Sequence, residues 1–222
     1  MKCECSKCKK YGLKYERKYK PSGYLEGKRN SPIWIVGLNP KGELGENDKR
    51  EVGELENCFD KKENIYNYFK SFKKVSDKLY NLLGKDKGAV HTDIVKCYSK
   101  KFPPTDCKGK DVEIIVNNCK EHFSKQLKEL CPKMIICNGV PVCDLIKEII
   151  KPSPDEQITT RYIGNFNGKE IVVILSGFIG QIDNYAKRRL GKEIESSMRE
   201  YEIGGGYDID EIPKSREDRR GS

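Results

Sequence analysis

The chain of 222 residues carries 43 Lys and Arg against 34 Asp and Glu, a net charge of +9, and 10 cysteines. A mean hydropathy of -0.74 and the lack of any apolar run near the roughly 20 residues that span a bilayer exclude a helical membrane protein. The opening MKCECSKCKK has no apolar stretch of a secretory signal, so a soluble, cytoplasmic protein is expected, and we expect a monomer. The basic balance favours a polyanion such as nucleic acid, or else is the solvated face of a chain rich in both Lys and Glu. Ten thiols in a reducing compartment point to metal or cluster ligation rather than disulfides.

Residues 1–30 are basic, with Cys3, Cys5 and Cys8 at the front. IWIVGL, residues 33–38, is a continuous apolar run that suits a buried strand. It ends in GLNPKGE, and the polar, glycine-containing stretch 41–63 reads as a long loop. Apolar residues at Phe69, Phe72, Val75, Leu79 and Leu82 predict one amphipathic helix running from Ile65 to a stop at Gly84. AVHTDIVKC, 89–97, predicts a second strand, and YSKKFPPTDCKGK a loop. Asp111 opens a helix whose face carries Val112, Ile115, Val116, Cys119, Phe123, Leu127 and Leu130. KMIICNG is a third strand, 140–150 a short helix, and YIGNFNGKEIVVILSG a hairpin about Asn167-Gly168, with 170–175 as a buried strand. A last helix covers 184–201, and Gly204-Gly205-Gly206 breaks the chain. One domain over 1–203 and a mobile polar tail over 204–222 follow.

Strands alternating with helices imply an α/β fold, a mainly parallel sheet covered on both faces. Ligands then sit at the carboxyl ends of the strands. GLNPKGE, HTDIVKC, CNG and LSGFIGQIDN all end there and converge on one rim.

Cys5-x-x-Cys8 is a two-ligand clamp, Cys97 ends a strand, and Cys119 lies on the next helix. Four thiolates from two such regions suit tetrahedral zinc or an iron–sulfur cluster. Cys119 also belongs to the apolar stripe of its helix, and Cys3 or Cys107 could substitute as a ligand. Cys58, Cys131, Cys137 and Cys143 read as packed or surface thiols.

Cys5-Ser-Lys-Cys8, IVGLNPKGE, HTDIVKC, NNCKEHFSKQLKELCPKMIICNG and GNFNGKEIVVILSG keep, over 3–180, the motif order of the uracil-DNA glycosylase superfamily. The sequence resembles its iron–sulfur group, often called family 4, with a first motif like that of the mismatch-specific branch. The resemblance implies a three-layer sandwich around a mainly parallel four-stranded sheet, and a 4Fe-4S cluster on Cys5, Cys8, Cys97 and Cys119. It also implies DNA as partner and hydrolysis of the N-glycosidic bond of uracil or a related deaminated or damaged base. The alternative is a non-catalytic or divergent nucleic-acid- or nucleotide-binding protein of the same fold; a zinc-binding interaction domain is a third reading.

Carried over from that resemblance, Asn39 positions the attacking water, where the iron–sulfur group usually has a carboxylate, on a loop with Gly37 and Leu38. Asn39-Pro40 read without the resemblance is equally a simple turn. Asp93 stands where the family has a base-reading asparagine, and an ionised Asp only accepts. Asn138 belongs to the third motif. The family's last-motif histidine is missing: LSGFIGQIDN leaves Gln181 or Asn184 to stabilise the departing base and Phe178 or Ile179 to wedge into DNA. Neither histidine is near that motif; His122 reads as a surface helix residue and His91 as a strand-start residue near the rim. Phe59, with Tyr66 behind it, is the candidate base-stacking aromatic, or else core. Lys96, Lys100, Lys101, Lys108, Lys110, Lys187, Arg188 and Arg189 are the candidate phosphate contacts.

Overall fold

The computed structural model describes residues 3–13, 15–17, 19–40, 67–99, 101–154 and 157–204. The predicted tail beyond Gly204, Phe59, Tyr66, Cys58 and Lys100 lie outside these residues.

A small antiparallel ribbon opens the fold, β1 (Cys3–Cys5) against β2 (Tyr15–Arg17). The main sheet holds β3 (Ile33–Gly37), β4 (Ala89–Asp93), β5 (Met134–Cys137), β6 (Lys151–Pro152), β7 (Arg161–Phe166) and β8 (Lys169–Ile174), in the order β4-β3-β5-β8-β7-β6. β4, β3, β5 and β8 run parallel, and these are the four strands that the apolar runs predict. The expected four-stranded sheet is corrected to six strands, because antiparallel β7 and β6 extend it. The β7–β8 turn places Asn167 at φ 52 and Gly168 at φ 78, the left-handed pair that a tight hairpin requires.

Helices cover both faces. α1 (Asn67–Lys73), α2 (Asp77–Leu82) and α5 (Asn184–Glu200) pack Phe72, Leu79 and Ile194 onto Ile33, Ile35 and Ile136. α3 (Lys110–Leu130) and α4 (Val140–Ile149) pack Phe123, Leu127 and Ile146 onto Trp34, Val36 and Ile135. Alternate residues of β3 thus serve opposite cores, which is why its run is apolar throughout. No described helix is long and apolar enough to cross a membrane.

The single helix expected over 65–84 is two. Val75 and Ser76 both donate to Phe72 O, and the Ser76 hydroxyl then caps α2 by accepting from Leu79 N at 3.1 Å. The cause is tertiary. α5 crosses so close at the break that a Cβ on Gly191 would stand 1.8 Å from Val75 O. Gly191→Ala therefore forces two backbones apart. It is expected to cost about 1–3 kcal/mol, read as a lower urea midpoint with an unchanged slope.

The segment before β3 covers the sheet's edge. Glu26 N donates to His91 O at 2.7 Å and His91 N to Glu26 O at 3.0 Å, satisfying edge strand β4.

Candidate functional site at the carboxyl rim

The first motif is zipped to the segment after β4. Ile94 N donates to Gly37 O at 3.0 Å, Val95 N to Leu38 O at 2.8 Å and Ser99 N to Pro40 O at 3.4 Å. Asn39 is half-buried beside this ladder. Its amide nitrogen donates to Ser99 Oγ at 2.8 Å and to Pro40 O at 3.1 Å. Both amide hydrogens are thereby used, and among the described residues nothing donates to the side-chain carbonyl. Leu38 packs against the α3–α4 core.

Gly37 lies directly against two side chains of β4. A Cβ there would stand 2.3 Å from Asp93 Oδ1 and 3.2 Å from His91 Nε2. Asp93, 2% exposed, is thus folded over the first motif, with Oδ2 3.9 Å from His91 Nδ1. His91 is the hub of a buried network. Its Nδ1 is 2.7 Å from Glu26 Oε2 and its Nε2 3.0 Å from Tyr68 OH. Tyr24 OH donates to Glu26 Oε1 at 2.7 Å. Asn138 Nδ2 donates to Tyr68 OH at 2.7 Å, and Asn138 Oδ1 accepts from Ile179 N at 2.7 Å. Asn138 therefore ties β5, α1 and the loop after β8 together.

Burial pulls the His91 imidazole toward neutrality, but the Asp93 and Glu26 carboxylates outweigh it and raise its pKa above the usual value. Burial, reinforced by Asp93, pushes the Tyr68 phenol well up, so it stays protonated. With His91 charged, Nδ1–H donates to Glu26 and Nε2–H to Tyr68. Tyr68 then accepts from both His91 and Asn138, and its own hydrogen is used by neither of them.

Lys96, expected at the DNA surface, is instead fully buried on the other side of β4. Its ammonium donates to Thr92 Oγ1 at 2.7 Å and Gln126 Oε1 at 2.8 Å and stands 5.3 Å from the centre of the Phe123 ring. Burial pulls it down to about 7, with Asp93 opposing. Lys187 is likewise buried, on the inner face of α5. Both are corrections to the expected DNA surface; Lys96 is held inside by Thr92 and Gln126, and Lys187 by its place on the buried side of α5. Lys101, Lys108, Lys110, Arg188 and Arg189 are exposed.

In the loop after β8, Phe178 is 42% exposed while Ile179 is buried, so of the two residues expected as a wedge only Phe178 is accessible. Gln181 is exposed on the same turn, where its backbone N–H donates to Phe178 O at 2.8 Å. The fold does not bring its side chain into the His91 network.

The thiols gather in a third apolar cluster, where Cys8, Cys97, Cys107 and Cys119 are buried and Cys5 packs alongside. Cys8 and Cys119 are within hydrogen-bond reach, as are Cys119 and Cys97. The Cys8 thiol is driven up first by its bond to Cys119 and then by burial. For Cys119, at about 11, the bond from Cys8 pulls down while the bond to Cys97 and burial push up. Cys5 Sγ lies 3.7 Å from His122 Nε2, so His122 is half-buried against the thiols rather than a plain surface residue. Among the described residues no group of three or more His, Cys, Asp or Glu stands ready-made to hold a metal ion. The donor set nonetheless fits a thiophilic cluster: soft sulfur ligands from three separate segments, in apolar surroundings, with no carboxylate among them. Cys137 and Cys143 form a separate contact pair, and Cys131 accepts from Lys169 Nζ at 3.1 Å.

Glu26, Tyr68 and Ser99 complete the rim without having been expected there. Glu26 lies in the basic N-terminal stretch, Tyr68 on a helix read only for its apolar face, and Ser99 in a loop read only as a connection. The available signal was His91, a histidine inside a strand of buried residues, which calls for a buried partner. No family model matches the chain, and no curated protein matches it.

Proposed function

We propose that the protein is a DNA glycosylase that hydrolyses the N-glycosidic bond of uracil or a related damaged base. The observation that carries this reading is the pairing, on one rim, of a tethered amide with an oriented phenol: Asn39 held by Ser99, and Tyr68 held by His91 and Asn138. Glycosidic cleavage develops positive charge on the sugar and negative charge on the leaving base. Asn39 accepts a hydrogen bond from the water that adds to the sugar carbon, without placing a fixed charge there. Tyr68 donates its hydrogen to the base as electrons pass into it, the role that the missing last-motif histidine plays in the resembling family. His91 acts through Tyr68 as a positioning residue, because its charged form keeps the phenol hydrogen available. Asp93, buried beside Gly37, offers an acceptor and no donor when ionised, which suits an exocyclic amino group better than a carbonyl.

A 4Fe-4S cluster on Cys5, Cys8, Cys97 and Cys119 cross-links the N-terminal ribbon to α3 and the segment after β4, and its role is structural. Anaerobically purified protein is expected to carry about four irons per chain, with Cys97→Ser or Cys119→Ser removing them. Stoichiometric zinc without iron contradicts the cluster.

The test is a panel of single-stranded and duplex oligonucleotides bearing uracil, hypoxanthine or mismatched bases, scored for free base and alkali-labile sites. Release from at least one substrate supports the reading. Salt-sensitive binding with no release supports instead a binding protein of this fold, the alternative favoured by the 2% exposure of Asp93.

A further inference from the structure

After β8 the chain turns through 175–182 and enters α5. The inner face of α5 buries Leu190, Ile194 and Met198. Its outer face carries Tyr185, Arg188, Arg189 and Lys192, all exposed and spaced by three and four residues along one side. Tyr185 is 72% exposed, and the Arg188 guanidinium lies 5.3 Å from its ring centre.

Most acids of this region are engaged off the stripe, while the Asp183 carboxyl, held down first by the Ala186 and Tyr185 backbone N–H groups, is near enough to Arg189 and Lys187 for their charges to help. Glu193 and Glu200 pair with Arg161 at 3.5 and 2.7 Å, and Glu195 accepts from the Ser76 hydroxyl. Asp183 caps α5, accepting from Tyr185 N at 2.7 Å and Ala186 N at 2.8 Å. Among the described residues Arg188, Arg189 and Lys192 form no salt bridge, so the face is a net cationic stripe around an aromatic ring. Beside it lies a cleft of about 700 Å³ with Leu175, Ser176 and Gly177 from the end of β8 and its loop, and Arg189, Lys192 and Glu193 from α5, the last of these paired with Arg161. Phe178 stands exposed on the loop that supplies Ser176 and Gly177 to the cleft.

A cationic groove interrupted by an exposed aromatic is the arrangement that holds single strands. Cations track the phosphates, and the ring stacks an unpaired base, which a duplex keeps inside its own stack. We infer that the outer face of α5 and the adjoining cleft bind a single-stranded stretch of nucleic acid, with a base on Tyr185 and phosphates on Arg188, Arg189 and Lys192. This rests on the reading that DNA is the substrate, and it adds the strand form and the path the strand takes away from the rim.

Fluorescence anisotropy of the full chain with labelled, undamaged oligothymidylate, with oligouridylate as an RNA arm and a duplex as competitor, tests it across a salt series. Tyr185→Ala is expected to weaken single-strand binding about 5- to 100-fold, with Tyr185→Phe restoring it. Replacing Arg188, Arg189 and Lys192 together with Gln should flatten the salt dependence by about two in log–log slope. Because all four side chains are exposed, these variants should keep the parent's thermal midpoint. Unchanged single-strand affinity in Tyr185→Ala, or equal losses on single strand and duplex, overturns the inference, and Tyr185 is then only a solvated ring under Arg188. If the parent releases base from duplex yet binds no single strand, the inference falls and the glycosylase reading stands. If Tyr185→Ala loses single-strand binding as expected and no base is ever released, the inference stands and that reading falls.

Discussion

Glu26→Ala is expected to cost about 3–5 kcal/mol of stability near pH 6, because it leaves a charged imidazole buried without its closest carboxylate. The pair is 2.7 Å apart, and both side chains are nearly inaccessible to water. The substitution also strips the Tyr24 hydroxyl of its acceptor. The loss depends on pH with a definite sign. His91 has a folded pKa above its unfolded value of about 6.5. Its charged form therefore contributes fully below that value, and the contribution fades as pH rises through the folded pKa. Above it, neutral His91 still donates Nδ1–H to Glu26, so the cost of Glu26→Ala shrinks without vanishing. Urea unfolding of parent and variant at pH 6 and pH 9 checks this. An equal loss at both values contradicts a charged His91.

Tyr68→Phe is expected to lower the rate of base release about 100-fold, the usual cost of removing one donor aimed at developing negative charge. The ring's apolar contacts with Phe69 and Phe72 survive. Asn138 Nδ2 and His91 Nε2 lose a partner, which adds about 1–3 kcal/mol of destabilisation. Single-turnover rates at a temperature where the variant stays folded separate the two effects, and DNA affinity serves as the control. Because the phenol hydrogen turns toward His91 Nε2 once the imidazole is neutral, parent activity should also fall as pH rises above the His91 pKa. A Tyr68→Phe variant with parental rates assigns the leaving-group donor elsewhere, and Gln181 becomes the candidate.

The parallel core was legible because β3, β4, β5 and β8 are short apolar runs bounded by Gly, Pro or charged residues, and the hairpin because Asn167-Gly168 adopts what few other pairs can. β6 was hidden by its two-residue length and by Pro152. The break between α1 and α2 has a local signal, the N-cap Ser76 with Asp77 after it, but Val75 and Leu79 continue the apolar spacing across it and mask it; the close approach of Gly191, far along the chain, cannot be read from this stretch. The site was legible only in part for the same reason. GLNP announces a special turn, but Glu26 meets His91 across 65 residues and Asn39 meets Ser99 across 60. Lys96 was misplaced because a buried lysine is rare, and only Thr92 and Gln126, brought together by packing, make it tolerable. The gathering of Cys5, Cys8, Cys97 and Cys119 in one cluster was foreshadowed by the Cys-x-x-Cys spacing and the helical cysteine, while the burial of Cys107 beside them was not.

The central claim is that this rim cleaves a glycosidic bond with water held by Asn39. The most direct measurement is the single-turnover rate of base release by the parent and by Asn39→Ala, on whichever damaged oligonucleotide the parent cleaves fastest. The account predicts a loss of about 100-fold or more in rate, with DNA affinity nearly unchanged, because the amide acts on water and not on phosphate. Equal rates for parent and variant would mean that the water is held elsewhere, and that Asn39, tied to Ser99 and Pro40, only shapes the turn.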